Sequence, residues 1–192
     1  MTATPSTAAP GEPIDRPYDR MTIFFHWLTA ALVLALFGSA LLKGFLPRDL
    51  HYGKPLEAFH ISIGILFAVV VIGRMVWRLA RGRRLPQVGS SSVVDLLLQT
   101  VHAMLYLLVG LQVVLGFALR WLQGEDFSFF GLFTVPSLIA SNRAMAHTFE
   151  DLHNFVGWTI VYVAGAHAVA ALWHHFMLRD RILGRMLPAP GN

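Results

Sequence analysis

Five histidines, His26, His60, His102, His153 and His167, fall within or at the mouth of the most apolar stretches of the chain. An imidazole in hydrocarbon costs several kcal/mol unless it finds a partner, so each is a candidate functional residue. Several at matched depths point to metal cofactors held between helices. Fourteen residues separate His153 from His167. Fourteen steps of about 100° fall about 40° short of four full turns, so both residues lie on one face of a helix, on the order of 21 Å apart along its axis. One helix thus presents two ligands stacked along its length.

Four apolar segments position these residues, at about 24–42, 59–80, 96–122 and 155–177. Each approaches the length of about 20 residues that a spanning helix needs. The composition agrees: of 192 residues 55% are hydrophobic and 14% charged, against roughly 25% charged in soluble domains. Mean hydropathy is +0.57. The expected fold is all-α, a single membrane four-helix bundle over residues 18–188. Residues 1–17, rich in Pro, Ala and Thr without a cationic start or apolar core, read as a disordered tail and not a signal peptide. Residues 189–192 form a short C-terminal tail, and 82–92 a linker. The connection 123–151 is long for a bundle and contains FSFFGLFTVPSLI, expected to lie as a cap at the interface.

The chain has no cysteine, which excludes disulfides, cysteine-ligated iron–sulfur clusters and covalent c-type haem but leaves histidine-ligated cofactors open. A sequence pI near 10.0 raises nucleic acid as a partner. The basic residues, however, flank apolar spans and form no recognition element, so no nucleic-acid binding is expected.

The charges also orient the bundle. Arg16, Arg20, Arg74, Arg78, Arg81, Arg83, Arg84, Arg179, Arg181 and Arg185 fall on the side of the termini, against Lys43, Arg48, Lys54, Arg120 and Arg143 on the other. The positive-inside rule makes both termini cytoplasmic. Depth then pairs His60 with His153 on the outer side and His26 with His167 on the inner side, giving two bis-histidine sites in one bundle core. Arg74 lies fourteen residues after His60, so it shares that face at the inner depth. There it would neutralise a haem propionate or a bound anion, or equally serve as an anchor that snorkels to the interface.

Each residue has a plainer reading. A single histidine near a helix end, such as His26 before Trp27, is usually interfacial. Four on three helices at two consistent depths argue otherwise. His102 also lies at inner depth, forms a polar stripe with Tyr106 at i+4 and is a rival fourth ligand; a quinone or propionate contact is the preferred reading. His174 and His175 read either as interfacial residues or as a proton-uptake site, and His51 and His147 as solvated loop residues. Gly64, Gly110, Gly116 and Gly157 read as close-packing positions, although a flat macrocycle also needs small neighbours.

The segments YDRMTIFFHW, AFHISIGIL with RMVWR, and especially LHNFVGWTIVYVAGAHAVAALWHHFMLRDRILGRMLP resemble the bacterial cytochrome b561 family. The likeness covers about residues 18–188. It implies a di-haem membrane cytochrome of the bacterial inner membrane, with two haem b groups stacked across the bilayer and His26, His60, His153 and His167 as their axial ligands. It further implies electron transfer between the haems and a quinone pocket near the cytoplasmic one. The members it most resembles take an electron from superoxide at the outer face and reduce ubiquinone. Lys43, Arg48 and Lys54 in the first outer loop would steer the superoxide anion. Five cations on that side face six acids, Asp49, Glu57, Glu125, Asp126, Glu150 and Asp151, so any positive funnel must be local.

Three functions remain in view. The first is a superoxide-to-quinone oxidoreductase with superoxide, ubiquinone and the lipid bilayer as partners and no obligatory protein partner. The second is an electron-relay anchor between the quinone pool and a hydrogenase or dehydrogenase subunit. The third, a haem-free transporter, predicts colourless protein.

Overall fold

The computed structural model describes residues 18–46, 52–81, 92–179 and 183–187. The tails 1–17 and 189–192, most of the linker, and Arg48 and His51 lie outside the described residues. Four long helices carry the fold: α1 (Arg20–Phe45), α2 (Gly53–Arg81), α3 (Ser92–Gln123) and α4 (Arg143–Trp173). All four contain a window long and apolar enough to cross a membrane. Only 11–28% of the residues in those windows are buried inside the protein. Leu34, Val69, Leu107 and Phe155 are exposed on this belt, the inverse of a soluble bundle and the pattern expected where lipid is the solvent.

Each helix outruns its apolar segment, because backbone hydrogen bonding continues through polar end turns that hydropathy does not register. α1 begins where Asp19 caps it: Thr22 donates its backbone N–H and its hydroxyl to the Asp19 carboxylate at 3.0 and 2.7 Å. Trp77 donates its indole N–H to the same carboxylate at 3.1 Å, tying the start of α1 to the end of α2. α4 starts well before its apolar run because the Asn142 side chain accepts from the Met145 N–H at 3.1 Å, a satisfied N-cap. At its far end α4 continues as a π-helical turn, His174–Leu178, closed by Arg179 in the left-handed region at φ 53°.

The connection between α3 and α4 is therefore shorter than the sequence suggests, and it is not helical. Strands β1 (Phe127–Phe129) and β2 (Phe133–Val135) pair antiparallel with Phe127 opposite Val135. Phe130 and Gly131 turn the chain at φ 48° and 74°, and Ser128 Oγ accepts from the Gly131 N–H at 2.9 Å. The hairpin is fastened to α2 through Ser62, whose Oγ accepts from the Phe130 N–H at 3.0 Å and lies 3.2 Å from the Ser128 carbonyl.

The helices associate as two hairpins, α1 with α2 and α3 with α4, and α2 meets α3 more lightly. Leu32, Phe67, Val70, Val71, Val109, Leu115, Val156 and Ile160 fill the middle of the bundle between them. Above and below this plug, toward the hairpin and toward the termini, the polar side chains gather.

Candidate cofactor site

His60 on α2 and His153 on α4 face each other on the hairpin side, with ring centroids 6.3 Å apart and planes at 74°. His26 on α1 and His167 on α4 repeat the arrangement on the side of the termini, at 6.4 Å and 74°. Each pair bridges the two helical hairpins, so a group held there would be clamped between them. Metal–imidazole bonds of about 2 Å, with each ring nitrogen about 1.1 Å from its ring centre, put two trans imidazoles about 6.3 Å apart. Both pairs stand at that separation.

His102 also reaches His167, but at 5.2 Å between centroids. That is a direct ring contact, too close for a metal between the two. His102 Nδ1 donates to the Leu98 carbonyl at 2.6 Å.

Among the described residues no cluster of three or more His, Cys, Asp or Glu is placed to hold a metal ion. Among the described residues each pair offers two imidazoles, and a metal held there would take its remaining ligands from a group bound with it. A metallated macrocycle supplies them.

The surroundings of the hairpin-side pair fit such a group. His60 Nδ1 lies 3.1 Å from the Leu36 carbonyl and 2.9 Å from Ser39 Oγ. A carbonyl can only accept, so Nδ1 carries the proton and Nε2 keeps its lone pair for a metal, as outer hydrogen bonds to ligating histidines commonly arrange. His153 Nε2 lies 3.2 Å from the Gln112 side-chain amide nitrogen, while His153 Nδ1 and Gln112 Oε1 are buried without partners among the described residues. Buried orphans beside a cavity mark a site whose bonding a further group completes. The cavity measures about 330 Å³ and is bounded by both histidines, Phe127, Trp158 and three glycines, Gly64, Gly116 and Gly157, within the range of cofactor pockets. A Cβ on Gly116 would stand 3.2 Å from His153, and one on Gly157 3.3 Å from Gln112. The glycines thus keep this space clear.

On the other side Arg74 reaches His26, Nη2 to Nδ1, at 3.5 Å, the outer limit of a hydrogen bond. Its guanidinium also lies over the Tyr106 ring at 5.1 Å. Arg74 is therefore turned into the bundle beside the His26–His167 pair, where the equal spacing from His60 places it.

At the hairpin-side mouth, Lys43 is tied to Glu57 at 2.7 Å. The same carboxylate accepts from Arg120 at 2.9 Å, and Arg120 reaches Glu125 at 2.6 Å. The charge of Lys43 is thus locally matched. Lys54 is exposed and makes no ion pair among the described residues. Arg48 lies outside them.

Two site residues escaped the sequence reading, Gln112 and Arg120. Arg120 lines the cavity with its side chain only 15% exposed, and its Nε is buried without a partner. The signal was available: it follows His102 by eighteen residues, five full turns on one face of α3. Gln112, a polar residue in mid-span, lies between them. His174 and His175 fall in the π-helical turn, and His147 is exposed.

The family model for prokaryotic cytochrome b561 matches residues 17–189. Cytochrome b561 homolog 2 of Escherichia coli (strain K12) is 33% identical over 171 residues, covering 88% of this chain and 90% of that protein. A probable superoxide oxidase, CybB, of Yersinia pestis is 33% identical over 174 residues, covering 90% of this chain and 97% of that protein. Cytochrome b562 of Cereibacter sphaeroides is 26% identical over 174 residues, covering 88% and 94%.

Proposed function

The chain belongs to the prokaryotic cytochrome b561 family of multi-pass inner-membrane electron carriers that bind haem b, and on that premise we propose that it is a superoxide:ubiquinone oxidoreductase. Two haem b groups are assigned, one between His60 and His153 at the outer side, the other between His26 and His167 at the inner side. The matched ring geometry of the pairs, 6.3 and 6.4 Å at the same 74°, is the observation that carries this assignment. The bias of Lys and Arg toward the side of the termini supports a cytoplasmic location for both.

Haem b held by these histidines would supply one-electron transfer. The chain's own residues then have distinct tasks. His60 is oriented by Leu36 and Ser39; Gly64, Gly116 and Gly157 leave room for a flat ring; and Leu32, Phe67 and Ile160 hold water out of the middle of the bundle. Arg74 neutralises carboxylate charge beside the inner pair. His102, in contact with His167 but too close to share a metal with it, is left to line the quinone pocket. At the mouth Lys54 attracts superoxide, with Lys43 held in reserve by Glu57; Arg48, outside the described residues, is given the same task from its place in the sequence. In the overall reaction two superoxide anions each lose one electron to become oxygen, and ubiquinone takes two electrons and two protons to become ubiquinol. The likeness to the Yersinia protein supports superoxide as the donor.

Purified protein supplied with enzymatically generated superoxide tests the reading. Ubiquinone should be consumed at one molecule per two superoxide anions, faster than superoxide dismutates unaided. Quinone reduction no faster than a protein-free control overturns it. Activity only with a co-purifying soluble subunit would instead identify an electron-relay anchor.

A further inference from the structure

Beyond the histidine pairs, the end of the bundle that carries the termini holds a second, unassigned cluster. The turn Leu183–Met186 folds back across this end. The Tyr18 N–H donates to the Arg185 carbonyl at 3.1 Å, and the Trp27 indole donates to the Met186 carbonyl at 2.8 Å. This return brings the Arg185 guanidinium over the Tyr18 ring at 5.3 Å. Arg78 lies over the Tyr106 ring at 5.0 Å and within 3.4 Å of its hydroxyl.

None of Arg74, Arg78 and Arg185 has a carboxylate partner among the described residues. Asp19, the acid at this end among the described residues, is engaged by Thr22 and Trp77. Arg185 Nε is buried with no hydrogen-bond partner among the described residues. Burial pushes the Tyr18 phenol above its ordinary pKa, while Arg185 and then Arg78 pull it down. Half-buried cations gathered on aromatic rings with no counter-charge among the described residues are an incomplete arrangement; an anion offering several oxygens would complete it. The place favours one source. It lies at the membrane-water boundary of four spanning helices, on the side rich in basic residues, where anionic headgroups concentrate and basic pockets between helices hold them.

We propose that Arg78 and Arg185, framed by Tyr18 and Tyr106, form an oxyanion site that takes the phosphate of an anionic phospholipid from the cytoplasmic leaflet. Arg74, set deeper beside His26, is left to the cofactor. The site depends on the membrane reading but not on the electron donor. A lipid bound there would seal the C-terminal turn against the start of α1.

Native mass spectrometry of the full-length holoprotein tests this after exchange into detergent with defined phosphatidylglycerol, phosphatidylcholine or inorganic phosphate. Wild type should retain phosphatidylglycerol at least about tenfold over phosphatidylcholine. Arg185→Gln and Arg78→Gln should each abolish that preference with haem content unchanged, and Arg185→Lys should restore part of it. Equal retention of the two lipids by wild type, or a preference that survives both glutamine variants, overturns the proposal. Competition by inorganic phosphate at millimolar concentration assigns the site to free phosphate, and haem loss with lipid preference intact assigns it to a cofactor carboxylate; either result contradicts the lipid source. If a glutamine variant fails to fold, Arg185→Lys should lower the preference without abolishing it, and an undiminished preference in that variant overturns the proposal.

Discussion

The ring centroids of His60 and His153 stand 6.3 Å apart with their planes at 74°, and His60 reaches that position because its Nδ1 is held by the Leu36 carbonyl and Ser39 Oγ. The orientation of the His60 ring is therefore set from α1, although His60 itself sits on α2. A hydrogen bond to the outer nitrogen of a ligating histidine fixes its tautomer and raises its basicity.

Ser39→Ala removes one of the two partners and leaves the Leu36 carbonyl. Outer-shell losses cost about 10–100-fold in metal affinity, and with one partner kept the lower figure applies. Haem transfer to an apo-globin acceptor should show about tenfold weaker retention of one haem and an unchanged second haem. Equal weakening of both, or of neither, would contradict the role given to Ser39.

His102 separates the two ways of reading the inner site. Its ring lies 5.2 Å from that of His167, too close for a shared metal, whereas His26 stands at 6.4 Å. His102→Ala should retain two haems per chain and slow quinone reduction roughly tenfold, a barrier increase of about 1.4 kcal/mol. Haem analysis showing one haem in this variant would make His102 the ligand and His26 the spectator.

The mouth cations differ in their pairing. Lys43 is neutralised by Glu57, while Lys54 makes no ion pair among the described residues. Stopped-flow kinetics with superoxide should show Lys54→Glu lowering the second-order rate several-fold at low salt, with the difference closing at high ionic strength as screening removes steering. Lys43→Gln should have the smaller effect. A salt-independent rate, or a larger effect from Lys43→Gln, would remove steering from the first loop.

What the sequence made legible was angular. The fourteen-residue interval between His153 and His167 needs only helical periodicity to put both on one face, and the structure sets each against a histidine of the other hairpin. The same interval carries Arg74 to His26. Helix ends were less legible, because α4 begins at a capping Asn142 inside a polar stretch that a hydropathy reading assigns to a loop. The strands were hidden for a different reason: each is only three residues long, Phe127–Phe129 and Phe133–Val135, too short for periodicity to register, and their pairing depends on Gly131 and on Ser62, sixty-six residues upstream of Ser128. Arg120 and Gln112 were visible as polar residues in an apolar run, but their convergence on His153 and the cavity is a product of packing between helices.

The haem content of the purified full-length protein, measured beside His153→Ala and His167→Ala, tests the central claim most directly. Two haem b per chain in the wild type and one in each variant, with different midpoint potentials for the haem that remains, is the predicted result. One haem or none in the wild type, or two retained in either variant, would contradict the paired-histidine account.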